Sequence, residues 1–352
     1  MKDYIVVGLG LAGIALCETL EQHNKTFVVF DDGSQKSSTV AGGLYNPVIL
    51  KRFTKVWLAR EQLAIAIPFY QHLEQKFKET YDYKVPVYRR FTSVEEQNLW
   101  FEAADKPGLG EFMSLQLHKN QNKYIDAPFG FGEVLQTGRL ATAHLQQTYT
   151  HYLKQQQKLQ EETFELSAME LTENAVVYKG VKARQIVFAD GFGMKSNPYF
   201  NYLPLNGTKG QLVTIEAPQL QLDFVLKSSV FIIPQGNNQY RIGATYEWDD
   251  KTNETTDAAK TQLLTKLETF MKCPYKVVNQ EAGIRPTVTD RRPLVGRHPE
   301  HKNVYLLNGM GSRGVMIAPY IAKELYQYIE AEKPLNPGID IQRFIKKYVN
   351  TN

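Results

Sequence analysis

Three glycines close to the N-terminus have the spacing that binds a dinucleotide. Gly8, Gly10 and Gly13 form a G-x-G-x-x-G motif between an apolar strand, residues 3–7, and an apolar helix. The first glycine of such a motif makes a tight turn, the second lets the backbone approach a pyrophosphate, and the third packs the helix on the strand. The phosphate lies at the helix N-terminus, where free N–H groups and the helix dipole favour negative charge.

Two acidic residues follow the next predicted strand, where a unit of this kind binds ribose. The strand covers residues 26–30, and Asp31 and Asp32 come directly after it. A carboxylate roughly 20 residues beyond the glycines accepts hydrogen bonds from ribose hydroxyls. The alternative interpretation is an ordinary strand, turn and helix without a ligand, and the combined context disfavours it.

Three further blocks contain residues that could bind a ligand. A loop rich in hydroxyl groups and glycine, residues 37–43, could wrap a second phosphate. A segment rich in arginine covers residues 281–296, and a glycine-rich turn, residues 309–314, precedes an apolar helix. Each block also has a plainer interpretation: a surface loop, an arginine that pairs with surface carboxylates, and a helix start without a ligand.

The remaining sequence predicts the elements that position these residues. Helical periodicity covers residues 57–78, 140–158, 257–271 and 315–331. Strand patterns cover residues 83–92, 175–178, 183–189, 211–215, 230–234, 240–245 and 303–308. Strand, glycine turn and helix thus occur at both ends of the chain, with sheet-rich sequence between them, which predicts a nucleotide domain assembled from discontinuous segments.

Composition restricts the class of protein. The 352 residues are 43% hydrophobic and 22% charged with a formal net charge of +4, which is typical of soluble globular proteins. The small positive excess neither requires nor forbids nucleic acid. The sequence has no signal-peptide pattern and no apolar run of about 18 residues, so we predict no transmembrane helix and a cytoplasmic location. The two cysteines and seven scattered histidines predict neither a disulfide framework nor a metal site.

The order and spacing of these motifs resemble the D-amino acid oxidase, glycine oxidase and sarcosine oxidase family of FAD-dependent oxidoreductases. The resemblance covers nearly the full length. Besides the N-terminal glycines, it rests on Phe188–Gly191, Lys209–Gln211, Ile242–Thr245, the G-x-R-P-x-x-x-D-x-x-P-x-x-G pattern within residues 281–296 and the late glycine turn. Two segments, Gly42–Pro47 and Gly311–Gly314, are most similar to the oxidoreductase domain of the bacterial bifunctional enzymes that modify the wobble uridine of tRNA.

The resemblance implies an α/β fold, α+β over the whole chain, with two domains. It comprises a Rossmann-like FAD-binding domain and a smaller substrate domain with an antiparallel sheet. We assign the FAD-binding domain to residues 1–82, 130–205 and 278–352. We assign the substrate domain to residues 83–129 and 206–277.

The resemblance also implies that FAD is the cofactor and is bound without a covalent link. Gly283 occupies the position where monomeric sarcosine oxidases have the cysteine that attaches FAD, and Cys273 is too far upstream to replace it. Arg313 and the helix that follows would stabilise the negative charge of the reduced flavin. The residues predicted to bind the cofactor are Gly8, Gly10, Leu11, Ala12, Gly13, Asp31, Asp32, Ser38, Thr39, Gly42, Gly43, Leu44, Ala189, Gly191, Gly309, Gly311, Ser312, Arg313 and Gly314.

The implied reaction is oxidation of the C–N bond of a small amino acid or secondary amine, with hydride transfer to flavin N5. Arg285 matches the family's arginine that clamps the substrate carboxylate, a role that suits the guanidinium fork. Tyr246 matches a position on the substrate side, although it could equally be a packing residue. Arg241 aligns loosely with a flavin-facing lysine that activates oxygen in sarcosine oxidases. Glycine oxidases have their late-turn arginine one position before Arg313, so the sequence departs from their pattern at this second substrate anchor.

Three alternatives stay open at this point. They are FAD-dependent oxidation of a modified base in tRNA, a flavin-binding protein without amine turnover, and an NAD(P)-dependent dehydrogenase. We expect a small-molecule amine or amino acid as the partner, rank tRNA below it, and expect no membrane partner. The sequence does not identify the substrate, the electron acceptor or the oligomeric state.

Overall fold

A computed structural model describes residues 1–349, in which α-helices pack on one face of a large sheet and others pack on a second sheet. The α-helices are α1 Leu11–Gln22, α2 Ser37–Val40, α3 Ala59–Phe77, α4 Val94–Ala104, α5 Thr142–Gln155, α6 Asp257–Glu268, α7 Gly314–Ala331 and α8 Ile345–Val349. Short 3-10 helices lie at Leu166–Ala168, Gly191–Ser196 and Ile341–Phe344.

The strands of the described chain form four sheets. In chain order they are β1 Lys2–Val7, β2 Phe27–Phe30, β3 Leu44–Tyr45, β4 Val48–Ile49, β5 Thr54–Lys55, β6 Asp82–Tyr83, β7 Val87–Arg90, β8 Met113–His118, β9 Phe131–Val134, β10 Gly138–Leu140, β11 Leu159–Gln160, β12 Met169–Leu171, β13 Val176–Tyr178, β14 Val181–Phe188, β15 Thr208–Glu216, β16 Val225–Lys227, β17 Phe231–Gly236, β18 Gln239–Gly243, β19 Lys276–Arg285, β20 Leu294–Arg297 and β21 Val304–Asn308. Two small sheets, β3-β10-β6 and β4-β5, accompany two large ones.

The first large sheet has a parallel centre, in the order β11-β2-β1-β14, with β21 also parallel to β14. The continuous apolar run of β1 fits a strand that is covered on both faces. One face packs against α1 and α7, with α3 packed on α7, and on the other face Phe188 of β14 packs with Phe200 and Met194. The predicted α/β fold class with a Rossmann-like unit is confirmed.

The second large sheet runs in the order β19-β15-β18-β17-β16-β7-β9-β8. One of its faces packs against α6 through a cluster that includes Val213, Ile232 and Leu267. The strands predicted at 211–215, 230–234 and 240–245 pair antiparallel, as expected. The other pairs of the sheet are also antiparallel, except for β16 and β7, which pair in parallel.

Some elements differ from the sequence prediction. The predicted strand 83–92 is divided into β6 and β7, because Pro86 lacks an N–H donor for a continuous ladder. Strands β9 and β19 pair within the second sheet, although the predicted division assigned them wholly or mainly to the FAD-binding domain. The division into two domains otherwise stays a prediction. No helix within residues 1–349 has the length and apolar character needed to cross a membrane.

Candidate functional site

A cleft lies between the two large sheets and consists of two adjoining cavities. We call the first the nucleotide lobe; it has a volume of about 250 Å³ and is lined by the glycine motif and the ends of β2 and β14. We call the second the sheet lobe; it has a volume of about 320 Å³ and lies between the second sheet, the loop 37–51 and the start of α7. The two lobes share lining residues Leu11, Ser37, Ser38, Pro286 and Met310, so they form one continuous cleft.

The glycines of the N-terminal motif are held by close backbone contacts. A Cβ at Gly8, whose φ is +98°, would lie 2.6 Å from the Ala189 carbonyl oxygen. A Cβ at Gly13 would lie 2.0 Å from the Gly8 carbonyl oxygen, so Gly13 serves the packing of α1 against the turn and does not line the cleft. At Gly10 the added atom would lie 2.9 Å from Ser38 Oγ. A larger residue at any of the three would therefore change the shape of the turn.

The N-terminus of α1 presents backbone donors to the cleft. Ile14 N donates to the Gly10 carbonyl in the first intrahelical bond, and Leu11 N donates to Ser38 Oγ at 3.0 Å. The other first-turn N–H groups have no intrahelical acceptor, and the first turn contains no acidic residue. These donors and the helix dipole make this end of α1 suitable for a phosphate group.

Both predicted ribose-binding carboxylates line the nucleotide lobe. Asp31 accepts hydrogen bonds from Leu9 N at 3.0 Å and from Gly33 N at 3.2 Å, which ties it to the glycine turn. Burial raises the pKa of Asp31 despite these bonds. Burial acts in the same direction on Asp32, but hydrogen bonds from Ser34 and Thr163 hold its pKa below the ordinary value.

A third carboxyl group in the nucleotide lobe, that of Asp190, was not among the predicted site residues. Desolvation raises its pKa to about 7, and Asn308 Nδ2 is 3.4 Å from its Oδ1. Within residues 1–349, the lining of this lobe contains no lysine or arginine. Its acidic lining residues are Asp31, Asp32, Glu162 and Asp190.

The sheet lobe has the opposite composition of charge. Its lining contains the four cations Lys51, Lys227, Arg285 and Arg313 and, within residues 1–349, no aspartate or glutamate. The sequence analysis identified Arg285 and Arg313 but missed both lysines. Lys227 lies on a strand whose neighbours in the sheet could not be known from the sequence.

Arg285 lies flat against the second sheet. A Cβ at Gly210 would lie 2.0 Å from Arg285 Nη2, so the glycine leaves the space that the guanidinium fills. Arg285 Nη1 donates to the Thr245 carbonyl at 3.2 Å, and the guanidinium carbon lies 4.5 Å from the centre of the Tyr246 ring. Desolvation lowers the pKa of Arg285, and no carboxylate within residues 1–349 pairs with it. Its remaining N–H donors are available to an anionic ligand.

Tyr246 lines the sheet lobe and keeps 65% of its surface exposed. The alternative that this tyrosine is a core packing residue is therefore wrong. Its ring covers one side of the Arg285 guanidinium at the mouth of the lobe. This location is compatible with the predicted position on the substrate side.

Arg241 does not line either lobe. Its Nη1 donates to the Ala41 carbonyl at 2.9 Å and to the Val40 carbonyl at 3.3 Å, and its Nη2 pairs with the Glu281 carboxylate. All of these partners are structural groups of the protein. These contacts hold the loop after α2, and the catalytic role that the resemblance implies for Arg241 stays a prediction.

Most predicted cofactor-binding residues line the cleft. Those that line it are Gly8, Gly10, Leu11, Ala12, Asp31, Asp32, Ser38, Gly42, Gly43, Leu44, Ala189, Gly191, Gly311, Ser312, Arg313 and Gly314. Gly13, Thr39 and Gly309 do not. Thr39 Oγ1 instead donates to the Lys36 carbonyl, and a Cβ at Gly309, whose φ is +78°, would lie 2.8 Å from Val288 and 2.9 Å from Leu294 N. These three residues contact the segments that line the cleft without lining it themselves.

Comparison with known proteins gives the same family as the motifs. The sequence profile described as DAO, FAD dependent oxidoreductase, matches residues 3–328. The tRNA 5-methylaminomethyl-2-thiouridine biosynthesis bifunctional protein MnmC of Legionella pneumophila is 24% identical over 208 residues, which are 49% of this chain and 31% of that protein. The glycine oxidase of Bacillus subtilis is 29% identical over 147 residues, 40% of this chain and 39% of that protein. The chain thus matches less than half the length of these curated relatives.

Solved structures show the same fold. The crystal structure of glycine oxidase from Geobacillus kaustophilus superimposes with a TM-score of 0.78 at 20% identity, covering 97% of both chains. The resemblance predicted from the motifs is confirmed.

Proposed function

The chain belongs to the DAO family of FAD-dependent oxidoreductases, and from this premise we propose that it oxidises the C–N bond of an amino acid or secondary amine that carries a carboxylate. The observation that supports this substrate class is Arg285. Its guanidinium is desolvated, without a carboxylate partner in residues 1–349, and held between Gly210 and Tyr246 in the sheet lobe. A planar fork of this kind binds a carboxylate through two parallel hydrogen bonds.

The residues of the cleft fit FAD. The N-terminus of α1 and the open backbone at Gly10 would hold the pyrophosphate, and Asp31 or Asp32 would accept from ribose hydroxyls. Neither cysteine of the chain lines the cleft, which favours non-covalent binding. When bound, the flavin accepts the hydride that leaves the substrate carbon.

The chain's own residues orient the substrate and exclude water. Arg285 binds the carboxylate, and the Tyr246 ring limits the directions from which a ligand enters. Apolar side chains on the loop 37–51, including Val48, Ile49 and Leu50, line the opposite wall and reduce the local dielectric. Arg313 and the N-terminus of α7 present positive charge to the sheet lobe, which stabilises negative charge that develops there.

Anaerobic titration of the flavin-loaded protein tests this proposal. Amino acids and N-methylated amino acids are added, and bleaching of the oxidised flavin band is recorded. Arg285→Ala is expected to raise the substrate concentration for half-maximal bleaching about 100-fold or more, because the carboxylate loses a charged bidentate partner. Arg297→Ala is the matched control, since Arg297 is exposed and outside the cleft. Unbleached flavin with every amine would refute the proposal.

A modified base in tRNA is a second candidate substrate. Besides the MnmC relatives, the mouth of the sheet lobe favours it: Tyr246 is 65% exposed and Trp248, two residues further on, is 51% exposed. Exposed aromatic side chains beside basic residues are suited to stacking on unpaired bases. A tRNA substrate requires affinity that falls steeply with salt concentration, and a filter-binding series at several salt concentrations measures it.

A further inference from the structure

The floor of the sheet lobe is one face of the second sheet. Alternate residues of neighbouring strands point to it, as the pleat requires, including Gly210 and Leu212 on β15, Phe231 and Ile233 on β17, and Gly283 and Arg285 on β19. The intervening residues Val213, Ile232 and Ile242 pack on the other face with α6. Lys227, at the end of β16, belongs to this floor, whereas its neighbour Leu226 belongs to the core with α6.

Two cations stand at opposite ends of the floor. Arg285 is on β19 and Lys227 is on β16, and the strand order β19-β15-β18-β17-β16 places four strand spacings between them. Glu281 is the β19 residue level with Lys227, and Arg285 lies four residues further along the strand. At about 4.8 Å for each spacing and about 3.3 Å for each residue, the two backbones are roughly 23 Å apart. The side chains between them are apolar or absent: Gly210, Leu212, Gly243 and Phe231. The floor therefore suits an elongated ligand with charge at both ends and an apolar middle.

Lys227 is not explained by the stability of the fold. Its Nζ lies 4.6 Å from the centre of the Phe231 ring, and no carboxylate within residues 1–349 pairs with it. Desolvation, together with the charges of Arg89 and Lys266, lowers its pKa to about 8. The fully buried Lys209, in contrast, forms an ion pair with Asp250. A desolvated ammonium group without a counter-ion is costly, and such groups are concentrated at binding sites.

We propose that Lys227 binds a second anionic group of the substrate, a carboxylate or a phosphate, at the end of the sheet lobe away from Arg285. The amine oxidised by this protein is then a dianionic, extended amino acid, either N-substituted or with a long side chain. This inference rests on the proposed function, in which Arg285 binds the first carboxylate. A small substrate with a single carboxylate would pair with Arg285 and leave Lys227 without a role. The second anionic group gives Lys227 a partner.

Matched secondary amines test the proposal on the flavin-loaded full chain. The set is N-butylglycine, N-(3-carboxypropyl)glycine and N-(3-phosphonopropyl)glycine, which share the reacting amine and differ in the distal group. Anaerobic stopped-flow measurement gives the rate constant of flavin reduction and the apparent Kd for each. We expect one of the dianionic amines to bind at least 10-fold more tightly than N-butylglycine, and the preferred terminus distinguishes carboxylate from phosphate.

The variant Lys227→Met removes the charge with little change in volume and should abolish this preference while N-butylglycine binds as before. Lys227→Arg should retain part of it. Lys266→Met is the control, because Lys266 is exposed, lies outside the cleft lining and contributes charge near Lys227. Equal binding of the three amines by the wild type, or a preference that persists in Lys227→Met, would overturn the inference. Failure of every amine to reduce the flavin would instead refute the proposed function.

Discussion

Charged side chains in the cleft are separated by sign, lobe by lobe. Asp31, Asp32 and Asp190 face the nucleotide lobe, and Lys227 and Arg285 face the sheet lobe. Carboxylates accept hydrogen bonds from sugar hydroxyls, whereas guanidinium and ammonium groups donate to carboxylates. The two lobes therefore differ in the ligand groups that they can bind: the nucleotide lobe suits hydroxyl groups and the sheet lobe suits anions.

Asp190 makes the stability of the flavin-free protein depend on pH. Burial raises its pKa from 3.8 to about 7, so the folded protein keeps a proton that the unfolded chain has already lost between those values. Its contribution to stability is therefore present below about pH 4 and is lost as the pH rises to about 7. Asp190→Asn should remove this loss and stabilise the flavin-free protein at pH 8, by about 2 kcal/mol, relative to the wild type.

Urea denaturation of both proteins at pH 5 and pH 8 measures this effect. The full linkage of 1.36 kcal/mol for each pKa unit would give about 4 kcal/mol. We expect roughly half of that, because Asp190 lines the open lobe and is not fully removed from solvent. Asp32→Asn is a useful contrast, because the pKa of Asp32 is lowered and its contribution is lost toward acid. A stability difference between Asp190→Asn and wild type that is the same at both pH values would contradict the assignment.

Gly210 provides the space in which Arg285 lies. Gly210→Ala would place a Cβ 2.0 Å from Arg285 Nη2 and displace the guanidinium. We expect substrate affinity to fall about 10-fold or more, since a bidentate contact depends on the orientation of the fork. The loss should be absent when Gly210→Ala is made in the Arg285→Ala variant, and equal losses in both backgrounds would show that Gly210 acts by another route.

At the scale of elements, the short helix α2 and the loop after it are tied to the second sheet through Arg241. This side chain joins the Val40 and Ala41 carbonyls to Glu281 on β19. A Cβ at Gly283, on the same strand, would lie 3.3 Å from the Lys36 carbonyl, so strand and loop also approach closely there. The connection fixes α2, which lines both lobes of the cleft, and the loop after it, which lines the sheet lobe.

Arg241→Met should release this loop without removing a reacting group. We expect the Kd for FAD to rise about 10-fold and the free energy of unfolding to fall by about 1 to 3 kcal/mol, because two carbonyls and a carboxylate lose their charged donor. Fluorescence titration of flavin-free protein with FAD measures the first quantity. The rate at which oxygen reoxidises the reduced variant should stay within about twofold of wild type, and a large decrease would instead support the catalytic role predicted from the sequence.

Several elements could be predicted because their signals are local. The turn at Gly8 to Gly13 needs glycine for its own backbone geometry, and the apolar runs of β1 and β14 are typical of buried parallel strands. Strand β19 could not be predicted in the same way. Seven of its ten residues are not buried, so its alternation is weak, and it is fixed by pairing with β15, more than 60 residues earlier in the chain.

At the scale of the whole molecule, the cleft lies between two sheets that share one hydrophobic cluster, which includes Val187 of the first and Ile233 of the second, so a ligand in the cleft contacts both sheets. Anything that binds only the folded state stabilises it by mass action. Flavin-free protein should gain about 2.7 kcal/mol in unfolding free energy when FAD is present at 100 times its Kd. Thermal unfolding with increasing FAD measures the gain, and a midpoint independent of FAD would contradict the assignment of the cleft.

The sequence by itself determined the family, the Rossmann-like unit and the residues of the glycine-rich turns, because each depends on contiguous residues whose types set the local backbone. Only the tertiary structure decided that Lys227 shares a floor with Arg285, that Asp190 is desolvated in the nucleotide lobe, and that Arg241 is held by two backbone carbonyls and Glu281 outside the cleft lining. These relations depend on strand order and register between segments far apart in the chain. Such pairing is selected by the packing of whole faces, and local residue patterns do not encode it.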